Sequence, residues 1–228
     1  MKIFADCADL TQMLDIKNEV AGFTTNPTLM RAAGVPDYEY FARTAIAMMP
    51  DRSFNFEVTA DESMGIRRQA KRISSWGENI YVKVPACNTS GMSNWEIIQE
   101  LSKEGIKVNV TAVFVSDQIA QCFRILKAPA IISVFAGRIA DTGVNPSAMI
   151  QAAVEFADKE ANHVEILWAS TREVFNMYEA SSIGVHIVTA TPDLVRKLFS
   201  LSGKDLLTYS KETSQMFYND AKEAGLSL

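Results

Sequence analysis

Histidine is nearly absent from this sequence, with two in 228 residues, and cysteine is scarce, with three. His163 and His186 do not form a ligand set between them and read as structural. Cys7, Cys87 and Cys122 are odd in number, widely spaced and never in a Cys-x-x-Cys pair, which argues against a disulfide framework or a zinc site and for a reducing compartment. Basic residues are in deficit, 22 against 27 acidic ones, giving a net charge of −5 and an isoelectric point near 5.2. Such a balance leaves no cationic surface for nucleic acid or for an anionic membrane. No apolar run is long enough to span a bilayer, and Met1-Lys2-Ile3-Phe4-Ala5-Asp6 has no secretory hydrophobic region. Linkers, low-complexity tracts and repeats are missing as well. The expectation is one domain over residues 1–228, placed by default in the cytoplasm.

What is present is an alternation. Apolar runs of strand length recur near Ile3–Asp6, Val20–Thr24, Phe54–Thr59, Ile80–Val84, Val108–Ala112, Ala130–Ala136, Val164–Ala169 and Val185–Ala190. Segments with helical periodicity separate most of them, for example Asp61–Ser74, Ser93–Lys103, Ser116–Leu126, Pro146–Asp158 and Thr171–Ala180. Strand–helix alternation of this kind predicts an α/β fold, a (β/α)₈ TIM barrel. Beyond the eighth strand and its helix, Gly203–Leu228 exceeds what a closed barrel needs. Leu206, Tyr209, Thr213, Met216, Phe217 and Ala221 recur there at three- and four-residue steps, predicting an amphipathic C-terminal helix over about 203–228.

Lys83 sits in Ile80-Tyr81-Val82-Lys83-Val84-Pro85, a lysine in mid-strand with valine on either side. Two readings stay open. It either snorkels to water at the strand's end, or burial disfavours its charge and frees an amine to attack carbonyl carbon. Neighbouring strands repeat the pattern, because side chains alternate across a strand. Glu57 lies opposite Phe56 and Val58, Asn109 and Thr111 lie opposite Val108 and Val110, Asp6 ends the first strand, and Ser133 shares a face with Phe135. If the apolar set packs under helices, Asp6, Glu57, Lys83, Asn109, Thr111 and Ser133 gather in one lumen. The alternative is a set of edge strands with one solvated face. Arg138 follows the sixth strand, while Ser170 and Arg172 follow the seventh. Arginines in late barrel loops suit a phosphate group, though each alone also suits a surface ion pair.

Thr24-Thr25-Asn26-Pro27-Thr28, Phe56-Glu57-Val58, Val82-Lys83-Val84-Pro85, Asn109-Val110-Thr111-Ala112 and Phe135-Ala136-Gly137-Arg138-Ile139 resemble the transaldolase family in order and spacing. The resemblance runs from Phe4-Ala5-Asp6 to the C-terminal helix, and the chain's shortness makes it similar to the compact subfamily that includes fructose-6-phosphate aldolases. The resemblance implies a class I aldolase-like barrel in which Lys83 forms a Schiff base with a ketose phosphate, Asp6 acts as general acid–base, and Glu57 with Thr111 handles water. It also implies that Thr24, Asn26, Asn109, Ser133 and Phe135 contact the sugar, that Arg138, Ser170 and Arg172 hold phosphate, and that no metal or organic cofactor takes part. Sugar phosphates and copies of the same chain, in a homopentamer or homodecamer, are the implied partners. Glu57 and Phe135 stand where the aldolase members carry glutamine and tyrosine, which favours transfer of a dihydroxyacetone unit over its release. Direct aldol cleavage and a non-catalytic sugar-phosphate-binding barrel remain the alternatives. Ala86-Cys87-Asn88-Thr89-Ser90 and Leu167-Trp168 depart from the family pattern, and Trp168 is expected to bear on the acceptor pocket.

Overall fold

Eight parallel strands close on themselves in chain order in the computed structural model, which describes residues 1–226. The strands are β1 (Lys2–Asp6), β2 (Gly22–Thr24), β3 (Ser53–Glu57), β4 (Ile80–Pro85), β5 (Val108–Val113), β6 (Ala130–Val134), β7 (Val164–Trp168) and β8 (Ile187–Ala190), with β8 pairing back to β1. The helices are α1 (Leu10–Asp15), α2 (Pro27–Ala32), α3 (Tyr38–Met48), α4 (Ser63–Ser74), α5 (Trp95–Lys103), α6 (Ser116–Ile125), α7 (Ala136–Asp141), α8 (Ser147–Glu160), α9 (Val174–Ser182), α10 (Pro192–Leu201) and α11 (Leu206–Glu223). The fold is a TIM barrel. Closure leaves no sheet edge, so none of these strands has a solvated face of the kind the alternative reading required.

The outward faces of the strands carry Val82, Val84, Val108, Val110, Ile132 and Val134, all fully buried. They meet the apolar stripes of the surrounding helices, such as Ile66, Ala70 and Ile73 of α4 and Ile97, Ile98 and Leu101 of α5. Each such aliphatic side chain contributes roughly 1.5–3 kcal/mol by leaving water. The polar side chains of the lumen lie in the layers near the strands' C-terminal ends. Below and beside them Phe4, Ile131, Leu167, Ala169 and Ile187 form an apolar cluster with Tyr81 and Phe135 packed against it. A barrel of this size has no room for water there, so the lower layer must be filled by apolar side chains.

Short helices that carry no readable periodicity are fixed by their caps. Asp9 accepts hydrogen bonds from the Thr11 and Gln12 amides at the start of α1. Asn26 accepts from the Leu29 amide, and Pro27 supplies the preset first residue of α2. In β5 the pairing with β6 slips between Val110 and Val113, and Ala112 takes a left-handed φ of 55°. This bulge keeps Thr111 facing the lumen while returning Val113 to the outer face beside Val134.

By compactness the chain divides into Met1–Val195, which holds the barrel, and a unit beginning at Arg196. The second unit contains the end of α10 and all of α11. Asp205 caps α11 through the Thr208 amide at 2.7 Å, and Lys204 pairs with Glu212 and lies over the Tyr209 ring. No residue of α11 is buried. The expected C-terminal helix is thus present but starts three residues later than Gly203, and the last two residues of that expectation, 227 and 228, lie outside the described residues. Among the described residues no helix is long and apolar enough to cross a membrane.

Candidate active site

Strand register brings the polar residues together. Asp6, Thr24 and Asn55 are neighbours across β1, β2 and β3, and Glu57, Lys83 and Asn109 form the next row across β3, β4 and β5. Above them a pocket of about 430 Å³, its open mouth included, is lined by Asp6, Thr24, Asn26, Lys83, Thr111, Ser133, Phe135, Arg138, Ser170 and Thr189, with Leu167 and Ala169. It lies at the C-terminal ends of the strands.

Lys83 is buried, not snorkelling, with 5% of its surface exposed. Its Nζ donates to the Thr25 carbonyl at 2.6 Å and pairs with Glu57 Oε2 at 3.0 Å. Glu57 is not a wall of this pocket. It stands beside Lys83 and lines a separate cleft between α3 and α4, where Tyr38 donates to its backbone carbonyl. Asp6 accepts from Thr24 Oγ1 at 2.7 Å. Burial pushes the Asp6 carboxyl above the ordinary range and the Glu57 charge adds to this, while the Lys83 ammonium and the Thr24 hydrogen bond oppose it. Thr111 Oγ1 is buried and has no protein partner, an orphan hydroxyl facing the pocket that a ligand or water would satisfy.

Two expected contacts are placed differently. Asn109 is fully buried beneath the pocket wall; it donates to Asn55 Oδ1 at 2.9 Å and accepts from Ser133 Oγ at 2.6 Å. It reaches the pocket through Ser133. Asn55, which alternation puts on the same face of its strand as Glu57, anchors this chain by donating to the Phe23 carbonyl at 3.1 Å. Arg172 lies outside the pocket, half-exposed, with Nη2 and Nε on Asp141 at 2.5 and 3.1 Å. The bidentate pair holds the Asp141 carboxyl below its usual range. Arg138 does line the pocket, its guanidinium 5.2 Å above the Phe135 ring.

The loop after β7 is tightly built. Ser170 adopts a left-handed φ of 65°, and a side-chain carbon on Gly137 would overlap the Ser170 carbonyl oxygen. Only glycine lets α7 approach this loop so closely. Trp168 corrects an expectation: it is buried on the outer face of β7, in a cleft with Gly143, Asn145 and Glu179, because Leu167 and Ala169 take the inward positions. It does not line the pocket. The unusual loop after β4 is pinned by Asn88, which accepts from the Ser90 and Met92 amides, and by Asp61, which holds Thr89. Cys7 is buried beside Asp6, within reach of the Asp9 backbone. His186 bridges the Ile166 amide and Asp158, and His163 contacts the Leu126 carbonyl, so both are tied into the scaffold.

A barrel with this lysine and carboxylate set matches a described family. The family model for Transaldolase/Fructose-6-phosphate aldolase covers residues 3–228. A probable transaldolase of Hyphomonas neptunium is 31% identical over 232 aligned positions, covering the full length of both chains. A probable transaldolase of Dehalococcoides mccartyi is 32% identical over 191 positions, 83% of this chain and 86% of that one. This chain belongs to the transaldolase/fructose-6-phosphate aldolase family. Solved structures with the same fold include a 3-hexulose-6-phosphate synthase, with a TM-score of 0.62 over 87% of this chain and 98% of that one at 14% identity. A second is KGPDC from Streptococcus mutans, with a TM-score of 0.60 over 89% and 99% at 12% identity. These likenesses concern the fold.

Proposed function

We propose that this protein is a transaldolase that moves a dihydroxyacetone unit from a ketose phosphate, such as fructose 6-phosphate or sedoheptulose 7-phosphate, to an aldose phosphate through a Schiff base on Lys83. The observation that carries this reading is one pocket holding a buried lysine, a half-buried carboxyl and an arginine, Lys83, Asp6 and Arg138.

Glu57, 3.0 Å from Nζ, takes the ammonium proton so that the free amine attacks the ketose carbonyl. Loss of water from the carbinolamine gives an iminium, with Glu57 and Thr111 handling that water. Asp6 removes the proton from the C4 hydroxyl, the C3–C4 bond breaks, and its electron pair is held as the enamine. The aldehyde leaves, an acceptor aldehyde enters, and Asp6 returns the proton as the new bond forms. Ser133, oriented by Asn109 and Asn55, and Asn26 hold the hydroxyls of the retained unit. Arg138 and Ser170 receive the phosphate, with Arg172 joining once it leaves Asp141. The Phe135 ring offers no hydroxyl for protonating the enamine, which supports transfer over release of free dihydroxyacetone.

Assembly belongs to the same reading. Leu206, Leu207, Met216 and Phe217 of α11 are each between 49% and 82% exposed, an apolar surface that a soluble monomer avoids. A homopentamer or homodecamer would cover it, and sedimentation of the full chain tests this.

The decisive experiment is borohydride reduction in the presence of fructose 6-phosphate, followed by peptide mapping. A reduced adduct on Lys83, absent from Lys83→Arg, is the expected result. A wild-type chain that gives no adduct, or one on another lysine, overturns the reading.

A further inference from the structure

Arg172 and Asp141 form a half-exposed ion pair at the outer end of α7. Arg172 Nε and Nη2 reach Asp141 Oδ2 at 3.1 and 2.5 Å. The arginine backbone is fixed: its amide donates to Asn176 Oδ1 at 3.0 Å, and Thr171 before it donates to the Thr189 carbonyl at 2.7 Å. The stem of the side chain is placed as well. Arg172 Cγ runs over Gly137, so near that a β-carbon there would stand 3.2 Å from it. Only the torsions beyond Cγ remain to aim the guanidinium.

The stem crosses α7 at Gly137, one residue before Arg138 and four before Asp141. Arg138 lines the pocket, and Asp141 does not. These two stand one helical turn apart, with roughly 5–6 Å between β-carbons, a step within reach of an arginine's outer torsions. Two guanidinium groups brought together repel unless an anion sits between them. Without such an anion Asp141 is the better partner for Arg172. Its carboxyl is held below the usual range first by the Arg172 hydrogen bonds and also by the Arg138 charge. Nor does α7 need this acid, since a carboxylate at a helix C-terminus faces the negative end of the dipole.

We propose that Asp141 sets how tightly this protein holds sugar phosphates, by competing with the phosphate for Arg172. Arg172 rests on Asp141 until a phosphate dianion beside Arg138 draws it in, and it returns to Asp141 as the phosphate leaves. Asp141 is thus a positioning residue that acts through Arg172. Each binding event gives up one ion pair and each release restores it, so the apparent affinity is reduced by the fraction of Arg172 held on Asp141. Moderate affinity suits a pocket through which two different sugar phosphates pass in turn. This inference rests on the proposed phosphate-binding role of Arg138 and Ser170.

The test uses the full chain with Asp141→Asn, which keeps the shape and removes the charge, Asp141→Ala, Arg172→Met, and the Asp141→Asn/Arg172→Met pair. Binding of inorganic phosphate is measured by titration calorimetry at constant ionic strength, and KM for fructose 6-phosphate in the transfer assay. Borohydride trapping of dihydroxyacetone, which carries no phosphate, runs in parallel. Asp141→Asn and Asp141→Ala should each tighten phosphate and lower KM roughly two- to fivefold, the range of an exposed ion pair. Arg172→Met should weaken phosphate roughly three- to tenfold, a hydrogen bond to a charged group less the ion pair given up. In the Arg172→Met background, Asp141→Asn should add only the screened effect of one surface charge. Dihydroxyacetone should trap on Lys83 in the Asp141 variants as it does in wild type. Asp141 variants that bind phosphate no more tightly than wild type overturn the proposal, and so does an equal gain with and without Arg172. Neither result touches the Schiff-base reading. A wild-type chain that binds no phosphate overturns the proposal together with the phosphate role of Arg138, whereas one that gains affinity as described but traps no ketose upholds it and overturns the Schiff-base reading alone.

Discussion

Deleting the Lys83 ammonium leaves the Glu57 carboxylate buried without its counter-ion. The two groups are 3.0 Å apart, with 7% and 17% of their side chains exposed, and Nζ also gives a 2.6 Å hydrogen bond to the Thr25 carbonyl. Breaking such a pair by removing one member costs about 3–5 kcal/mol, whereas replacing both by neutral side chains is close to neutral. Glu57 keeps some contact with solvent, so Lys83→Met should lose about 3 kcal/mol, the lower end of that range. In a chain of this length that corresponds to a fall of roughly 6–12 °C in Tm. Glu57→Gln retains an acceptor oxygen for the ammonium and should lose about 1 kcal/mol. The double variant buries no charge, so its loss should be well below the sum, with a coupling of about 2–3 kcal/mol. Urea unfolding of the four proteins at pH 7 measures this cycle. Losses that add within about 0.5 kcal/mol would refute this coupling.

Asp6→Asn should still trap the imine but slow carbon–carbon cleavage about 10²–10⁴-fold in single-turnover kinetics. Because burial raises the Asp6 carboxyl, wild-type stability should decline as pH climbs from the unfolded carboxylate value through the raised folded one, and the asparagine variant should lack that decline in urea midpoints; parallel pH curves would contradict it. Gly137→Ala drives a carbon into the Ser170 carbonyl oxygen, so it should lose at least about 2 kcal/mol and weaken binding of inorganic phosphate, while an unchanged thermal midpoint would show that the loop yields freely. Phe135→Tyr combined with Glu57→Gln should raise release of free dihydroxyacetone relative to transfer in a coupled assay; a constant ratio would locate selectivity elsewhere in the pocket.

The strands were legible because a period of two leaves a visible mark wherever one face is polar. Asn109 and Thr111 between valines, or Glu57 between Phe56 and Val58, could be phased from sequence. Trp168 could not, since Val164-Glu165-Ile166-Leu167-Trp168 carries no polar residue near the pocket end to set the phase. Short helices such as α1 and α2 are six residues long, below the length at which periodicity speaks, though Asp9 and the Asn26-Pro27 pair were readable caps. The difference between Arg138 and Arg172 was hidden for another reason. Both follow late strands, and only the tertiary placement of Asp141 draws one of them out of the pocket. Asn55 shares the polar face of Glu57 by the same alternation, but its partners, like those of the neutral Thr189, depend on register across several strands, which no local pattern encodes.

The contact between Gly137 and Ser170 has a consequence for how this pocket can change over generations. With the carbonyl of one loop seated where a side chain would otherwise stand on the other, residues 135–141 and 169–172 form a matched pair, further tied by Arg172 and Asp141. Neither segment can be swapped alone from a relative without a mismatch at that seam. A change in what this pocket accepts is therefore expected to need both loops together. In laboratory recombination, crossover points between β6 and β7 would disrupt what crossovers before β6 or after α9 preserve.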